Sequence, residues 1–391
     1  MKSKLLHTPE GVRDIYGTEY TGKLTLQEKL RERLHLYGYE DIQTPTFEYF
    51  DIFSSNIGTT PSKDLYKFFD KEGDTLVLRP DFTPSIARCF AKYYMGETMP
   101  VRFCYTGNTF LNTSDLQGKL KESTQIGAEL INDAGVDADA EMIALMIECM
   151  QSAGLTDFQV TIGNVQYFKG LCEECGILPE TELELRDLIS NKNYFGAEAI
   201  LDSLGVSDEI KHKILKVTKL FGSVEKVKEA GESVTNERSL SSVERVIRIH
   251  EILKAQGLDS FVNYDFGLLS KYNYYTGIIF RAYTFGNGDA VMKGGRYDSL
   301  LSSFGDPAPA IGFAILVDEL CMTLRRLKIG EETKREICLI VYDKEDRASA
   351  SKKAGRLRRE GKKTVLLCKR EGLDDTDYRE YAQKMGYTLM E

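Results

Sequence analysis

Residues 110–131, FLNTSDLQGKLKESTQIGAELI, predict a turn followed by a strand. Successive strand side chains point to opposite faces, so Gln125, Gly127 and Glu129 share one face and Ile126, Ala128 and Leu130 the other. The second face is apolar and suited to packing. The first shows a carboxamide and a carboxylate flanking a bare glycine, the floor of a small polar pocket. The preceding turn, Leu111-Asn112-Thr113-Ser114-Asp115, contains no cation.

The same reading extends along the chain. Leu26, Leu30 and Leu34 recur at i, i+4 and predict an amphipathic helix over 18–37, stopped at Gly38. Pro45 suits a strand at a boundary or edge. YKFFDKEGDTLVLRPD reads as a hairpin turning at Glu72-Gly73, and FTPSIARCFAKYYM as a helix with Pro84 in its first turn. PVRFCYTGNTF and LKESTQIGAELI form a second hairpin over a long turn. DADAEMIALMIECMQSAG predicts a helix with an acidic start, and DFQVTIG a strand. From about 165 to 257 the pattern becomes helical, an insertion. Strands return with FVNYDFG, SKYNYYTGIIFRAY, DAVMKGG and APAIGFAI, and LVDELCMTLRRL closes as a helix. The pattern predicts an α+β core over residues 1–328, with an antiparallel sheet walled by helices, and a small α/β domain over 334–391.

Length adds that two or three domains are expected from 391 residues. The net charge of −9 disfavours a broad polyanion-binding surface, so nucleic acid is not the expected partner. No apolar run has membrane length, and MKSKLLHTPEG does not read as a signal peptide, which makes the cytoplasm the expected location. The eight cysteines are expected to be reduced and mostly buried. Cys172 and Cys175 form a lone CxxC without a second pair or nearby histidine, and no metal site or cofactor is expected. Lys352, Lys353, Arg356, Arg358, Arg359, Lys362 and Lys363 form either a solvated helix face with its turn or a patch for nucleic acid or an acidic partner surface.

Four stretches carry residues that pure structure does not require. In LRPDFTPS, Asp81 and Thr83 stand at a strand-to-helix junction, where Asp81 either caps the helix or holds an ammonium group. TQIGAE supplies the polar floor. SKYNYYTG, read as a strand, places Tyr274 and Tyr275 on opposite faces. KGGRYDSL reads as a glycine-rich turn carrying Arg296, Tyr297 and Asp298; it lacks Walker A spacing.

HTPEGVRDIYG, GYEDIQTPTFE, LRPDFTP, TQIGAE, YYTGIIF, GGRYDSL and APAIGFAI occur in this order across residues 7–315. That series resembles the catalytic core of histidyl-tRNA synthetases, a class II fold with an antiparallel sheet flanked by helices. The resemblance implies that the first helix and the strand after it form a dimer interface. It implies that Asp81, Thr83 and Gln125 meet the amino group of histidine, that Glu129 and Tyr275 meet the imidazole, and that Tyr274 lines the pocket. A carboxylate facing one ring nitrogen and a hydroxyl facing the other satisfies imidazole in either protonation state.

Active synthetases carry Phe-Arg-x-Glu in the turn, Glu-Arg-Leu in the closing helix, and an arginine four residues before the tyrosine pair. The matching positions here are Leu111, Thr113, Glu319 and Ser270. Removing one group that stabilises transition-state charge costs about 10²–10³ in rate, so the adenylation half of the site is expected to be dead and without counterions for a nucleotide. The ligand carboxylate is left to Lys119, Lys121 or Arg296. A synthetase core that keeps its amino-acid pocket and loses adenylation resembles the regulatory subunits of ATP phosphoribosyltransferase. That resemblance implies a non-catalytic chain needed by a short catalytic subunit in the first step of histidine biosynthesis, and histidine feedback. An active histidyl-tRNA synthetase and a tRNA-binding or sensing module are the alternatives. The final domain resembles a shortened anticodon-binding domain.

Overall fold

The structure is a computed structural model and describes residues 6–54, 60–113, 120–270, 274–330 and 337–390. Ser114, Asp115 and Lys119 lie outside the described residues. The chain divides into two compact units: Met1–Asp14 with Lys23–Gly330, and Ile15–Gly22 with Glu331–Glu391.

In chain order the elements begin with helix α1 (Gly17–Leu36) and strands β1 (Glu40–Asp41), β2 (Phe47–Tyr49), β3 (Lys67–Phe69) and β4 (Thr75–Leu78). Helix α2 (Thr83–Tyr93), the long hairpin β5 (Val101–Phe110) and β6 (Glu122–Ile131), helix α3 (Val136–Ser152) and strand β7 (Phe158–Asn164) follow. The predicted insertion contains α4 (Val165–Glu174), α5 (Pro179–Ser190), α6 (Tyr194–Ser203), α7 (Asp208–Leu215), the short strand β8 (Phe221–Gly222), α8 (Val224–Glu232) and α9 (Glu237–Ala255). Strands β9 (Val262–Asp265), β10 (Ile278–Thr284), β11 (Met292–Arg296) and β12 (Ala310–Leu316) return, and α10 (Val317–Arg326) closes the larger unit.

Among the described residues, the main sheet runs β1-β5-β6-β12-β11-β10-β7-β9-β8. It is antiparallel through its middle, while β1 joins β5 and β9 joins β7 in parallel. A second small sheet has the order β2-β4-β3. One face of the main sheet is apolar: Ile126, Ala128 and Leu130 lie opposite Ile315, Phe313 and Ile311 and belong to the principal core with α3 residues such as Met142, Ile143 and Met146. Burying a side chain of this size is worth about 1.5–3 kcal/mol, which holds the strand register against a one-residue slip.

The predicted stripe on α1 is buried through Leu26, Leu30 and Leu34. Lys23, on the same face, is also buried, and its Nζ donates to Asp318 Oδ1 at 2.6 Å. Asp318 Oδ2 accepts from the Thr124 amide at 2.7 Å, so one carboxylate ties α1 and the start of β6 to α10. Four of the six helices between Val165 and Ala255 start on asparagine or serine caps: Asn164, Asn193, Ser207 and Asn236 each accept from an amide of the first turn.

The smaller unit contains three parallel strands, β13 (Ile337–Tyr342), β14 (Lys363–Cys368) and β15 (Tyr387–Met390), in the order β14-β13-β15. Helices α11 (Arg347–Arg359) and α12 (Asp375–Met385) complete it. Ala350, Ala354 and Leu357 of α11 are buried with Ile340, while Lys352, Arg356, Arg358 and Arg359 are exposed, the pattern of an amphipathic surface helix. β15 was not anticipated, because YTLM is too short to show alternation.

All eight cysteines are free thiols, four buried and four partly buried. Cys172 lies in α4 and Cys175 at its C-cap, a helical segment carrying two thiols. Among the described residues, no helix is long and apolar enough to cross a membrane.

Candidate functional site

The second face of the main sheet is the polar one. Three rows cross it. The first contains Glu129, Gly312, Gly295 and Ile279; the next contains Gly127, Ala314, Lys293 and Arg281; the last pairs Gln125 with Leu316. All of these positions except Gly127, which the Tyr105 side chain covers, floor a cavity of about 280 Å3. Asp81 and Thr83 reach it from the β4–α2 junction, and Tyr274 and Tyr275 from the segment before β10. All six predicted ligand-binding residues therefore line one cavity. Leu111 and Ser270 line it too, whereas Thr113 and Glu319 do not.

Glycine makes the floor deep enough to hold Glu129. A Cβ on Gly312 would stand 1.6 Å from Glu129 Oε2, and one on Gly295 would stand 2.5 Å from the Tyr275 ring. The Glu129 carboxyl thus extends over β12, and the Tyr275 ring over β11.

Glu129 is 1% exposed. Thr83 donates its hydroxyl to Oε1 at 2.8 Å, and Tyr297 donates to Oε2 at 2.5 Å. Burial raises its pKa to about 8, partly opposed by these two donors. The group is therefore mostly protonated at neutral pH, and each oxygen retains a further site for a ligand. Tyr297 is a site residue that the sequence reading quoted within its motif without assigning it to the pocket.

Asp81 Oδ1 accepts from the Phe82 amide at 2.7 Å and, at 3.5 Å, from that of Thr83, so Asp81 organises the start of α2 and also lines the cavity. Gln125 Oε1 is buried and has no hydrogen-bond partner among the described residues. An orphan acceptor in a polar cavity is suited to a ligand N–H.

The tyrosine pair departs from expectation. Tyr274 and Tyr275 precede the strand, which starts at Ile278, so strand alternation does not apply to them. Both face the same cavity, their ring centroids 4.1 Å apart and their planes inclined by 31°. Burial pushes both hydroxyls up, that of Tyr275 to about 12.

KGGRYDSL also differs from its reading as a turn. Gly294 and Gly295 sit inside β11, where close approach excludes side chains: a Cβ on Gly294 would meet Phe313 Cβ at 2.6 Å. Arg296, on the same strand face as Met292 and Gly294, points away from the cavity. Its Nε donates to buried Asp139 at 2.8 Å, and Nη1 donates to the Asp133 carbonyl and to Asp298. Arg245 reaches the other oxygen of Asp139 at 2.5 Å. Arg296 is thus a structural cation. Neither it nor Lys121 lines the cavity.

The expectation of a cleft without counterions is corrected by Arg281 and Lys293. Both line the cavity, side by side on β10 and β11. Lys293 pairs with Asp289 at 2.9 Å. Alternation counted from Ile279 places Arg281 on the polar face, a residue the sequence motifs did not single out.

His35, Asp41 and Cys104 also come together. Arg31 donates to both Asp41 oxygens and holds that carboxyl down to about 2, so the group already has its cation.

The family model of histidyl-tRNA synthetase matches residues 11–320. The ATP phosphoribosyltransferase regulatory subunit of Ruminiclostridium cellulolyticum is 37% identical over 381 residues, covering 97% of this chain and 91% of that protein. Its counterpart in Acetivibrio thermocellus is 38% identical over 356 residues, covering 91% and 85%. A crystal structure described as an ATP phosphoribosyltransferase regulatory subunit/histidyl-tRNA synthetase from Bacillus halodurans superposes with a TM-score of 0.88 at 32% identity, covering 99% of this chain and 98% of that one. The histidyl-tRNA synthetase of Nostoc shares the fold, with a TM-score of 0.82 at 21% identity over 97% of this chain and 90% of its own. This chain belongs to the ATP phosphoribosyltransferase regulatory subunit family, built on a histidyl-tRNA synthetase-like core.

Proposed function

We propose that this chain is the histidine-binding regulatory subunit of a cytoplasmic ATP phosphoribosyltransferase assembly in histidine biosynthesis. It performs neither adenylation nor phosphoribosyl transfer. A short catalytic subunit requires it for activity, and histidine bound to it inhibits the complex. It is a homodimer through the α1–β2 region within that hetero-oligomer. Residues 1–328 form the ligand-binding domain, and residues 334–391 a shortened relative of an anticodon-binding domain.

One observation carries the reading. Asp81, Thr83, Gln125, Glu129, Tyr274 and Tyr275 share a cavity with Leu111 and Ser270, which stand where a synthetase carries arginines. Acceptors for an ammonium group and partners for an imidazole coexist there with the loss of activating cations. Feedback then follows from linkage: histidine shifts the complex because it binds one state more tightly than another.

The test mixes this chain with a short-form catalytic subunit, ATP and phosphoribosyl pyrophosphate. Activity is expected only with both proteins, and it falls when histidine is added. Activity independent of this chain, or histidine-dependent ATP–pyrophosphate exchange by this chain alone, overturns the reading.

A further inference from the structure

Arg281 stands on the polar face of β10 and lines the candidate histidine cavity. It is half-buried and makes no hydrogen bond or ion pair among the described residues. The groups around it are accounted for. Lys293, directly opposite in register, is engaged by Asp289. Asp265, on the far side, accepts from the Gly267 amide at 2.8 Å. Tyr275 packs against Tyr274, their ring centroids 4.1 Å apart. Arg281 also borders a second cavity of about 530 Å3, under the insertion residues Lys192 and Thr218. The carboxylates of Asp265 and Asp289 bear on this charge through space without bonding it, so the guanidinium donors remain open to an anionic ligand.

The register places this charge relative to the imidazole end. Arg281 and Lys293 occupy the row next to that of Glu129 on the same face, with rows about 7 Å apart and Arg281 three strands across from Glu129, roughly 14 Å by strand spacing. Ala314 continues their row within the cavity, while Gly127 beyond it is covered by the Tyr105 ring. A ligand whose ring lies between Glu129 and Tyr275 therefore has its acceptor groups at one end of the cavity and a cationic row beside it.

We propose that Arg281, supported by Lys293, is the carboxylate-binding subsite of this cavity and replaces the arginine absent at Leu111. The inference rests on the histidine reading above and names the group that reads the ligand's negative end. A cation from a different strand takes over the electrostatic task without recreating the geometry that would hold an α-phosphate at the reacting carboxylate.

The experiment is calorimetric titration of the full chain with L-histidine and with L-histidinol, which keeps the imidazole and amine and lacks the carboxylate. Wild type is compared with Arg281→Gln and Arg281→Lys, each checked for an unchanged melting temperature. Histidine is expected to bind wild type about 10–100-fold more tightly than histidinol, the range of one charged hydrogen-bonded contact. Arg281→Gln collapses that ratio toward one by weakening histidine alone, and Arg281→Lys restores part of it. A ratio near one in wild type, a ratio retained in Arg281→Gln, or equal weakening of both ligands overturns the subsite while leaving the imidazole pocket standing. Binding of neither ligand to wild type overturns the histidine reading itself, and the subsite with it.

Discussion

Thr83 donates its hydroxyl to Glu129 Oε1 at 2.8 Å, joining the first residue of α2 to a strand 46 positions away. With Tyr297 on the other oxygen, Glu129 is held rigidly and kept from water while remaining at the cavity wall. Most of what can be tested follows from that carboxyl.

A buried carboxyl with a raised pKa makes stability depend on pH. The unfolded chain releases this proton near pH 4.5, whereas the folded chain keeps it to about pH 8. Between those values the folded state binds the extra proton, so this group's contribution to stability falls as pH rises and levels off above about 8. Glu129→Gln removes that dependence. Its melting temperature relative to wild type is expected to rise by on the order of a few °C from pH 5 to pH 8. A difference that stays constant across this window contradicts the protonated assignment.

The same proton sets the pH behaviour of histidine binding. Near pH 7 the free ligand is mostly neutral imidazole, with pKa ~6.5, and Glu129 already holds one proton that the pair can share. Calorimetry in buffers of different ionisation enthalpy is expected to show little net proton exchange at pH 7.2 and release of about one proton at pH 5.5. Proton uptake at pH 5.5 would be incompatible with a pocket built this way.

Gly312 is required by the space Glu129 occupies. Gly312→Ala places a methyl group 1.6 Å from Oε2 and 2.7 Å from the Ala128 carbonyl, so the carboxyl must move. A destabilisation of about 1–3 kcal/mol is expected in chemical denaturation, with histidine affinity reduced by more than about tenfold. A variant that binds as wild type does would show that the carboxyl position is immaterial.

Restoring one synthetase cation does not restore the reaction. Leu111→Arg returns a positive group to the cavity wall while Ser270 remains and Glu319 stays acidic. Each missing stabiliser is worth about 10²–10³ in rate, so no histidine-dependent ATP–pyrophosphate exchange is expected. Exchange above background in this variant would mean that a single position controls activation.

Asp139 is fully buried between Arg245 and Arg296. Asp139→Ala leaves two guanidinium groups without their shared anion and is expected to cost about 3–5 kcal/mol. Urea titration measures it; a loss below about 1 kcal/mol would show that water replaces the carboxylate.

Much of this molecule was legible before any coordinates. The hairpin of β5 and β6, the run of helices beginning at Val165 and the buried stripe on α1 each follow from a local period that burial enforces. The six ligand-binding candidates and the absent arginines came from ordered motifs compared with a known family. Local pattern failed at Tyr274 and Tyr275, where the strand was begun at Ser270, eight residues before Ile278, and at Gly294-Gly295, where close packing inside a sheet looked like a turn.

The sequence alone supplied the candidate ligand-binding side chains, the positions that differ from the synthetase motifs, and the apolar face of β6. Only the tertiary structure decided that Arg296 turns inward to Asp139 while Arg281 faces the cavity, and that Glu129 is enclosed by Thr83 and Tyr297. The reason is register: strands far apart in the chain set which residues become neighbours, and a pairing between β10 and β11 leaves no local trace in either strand.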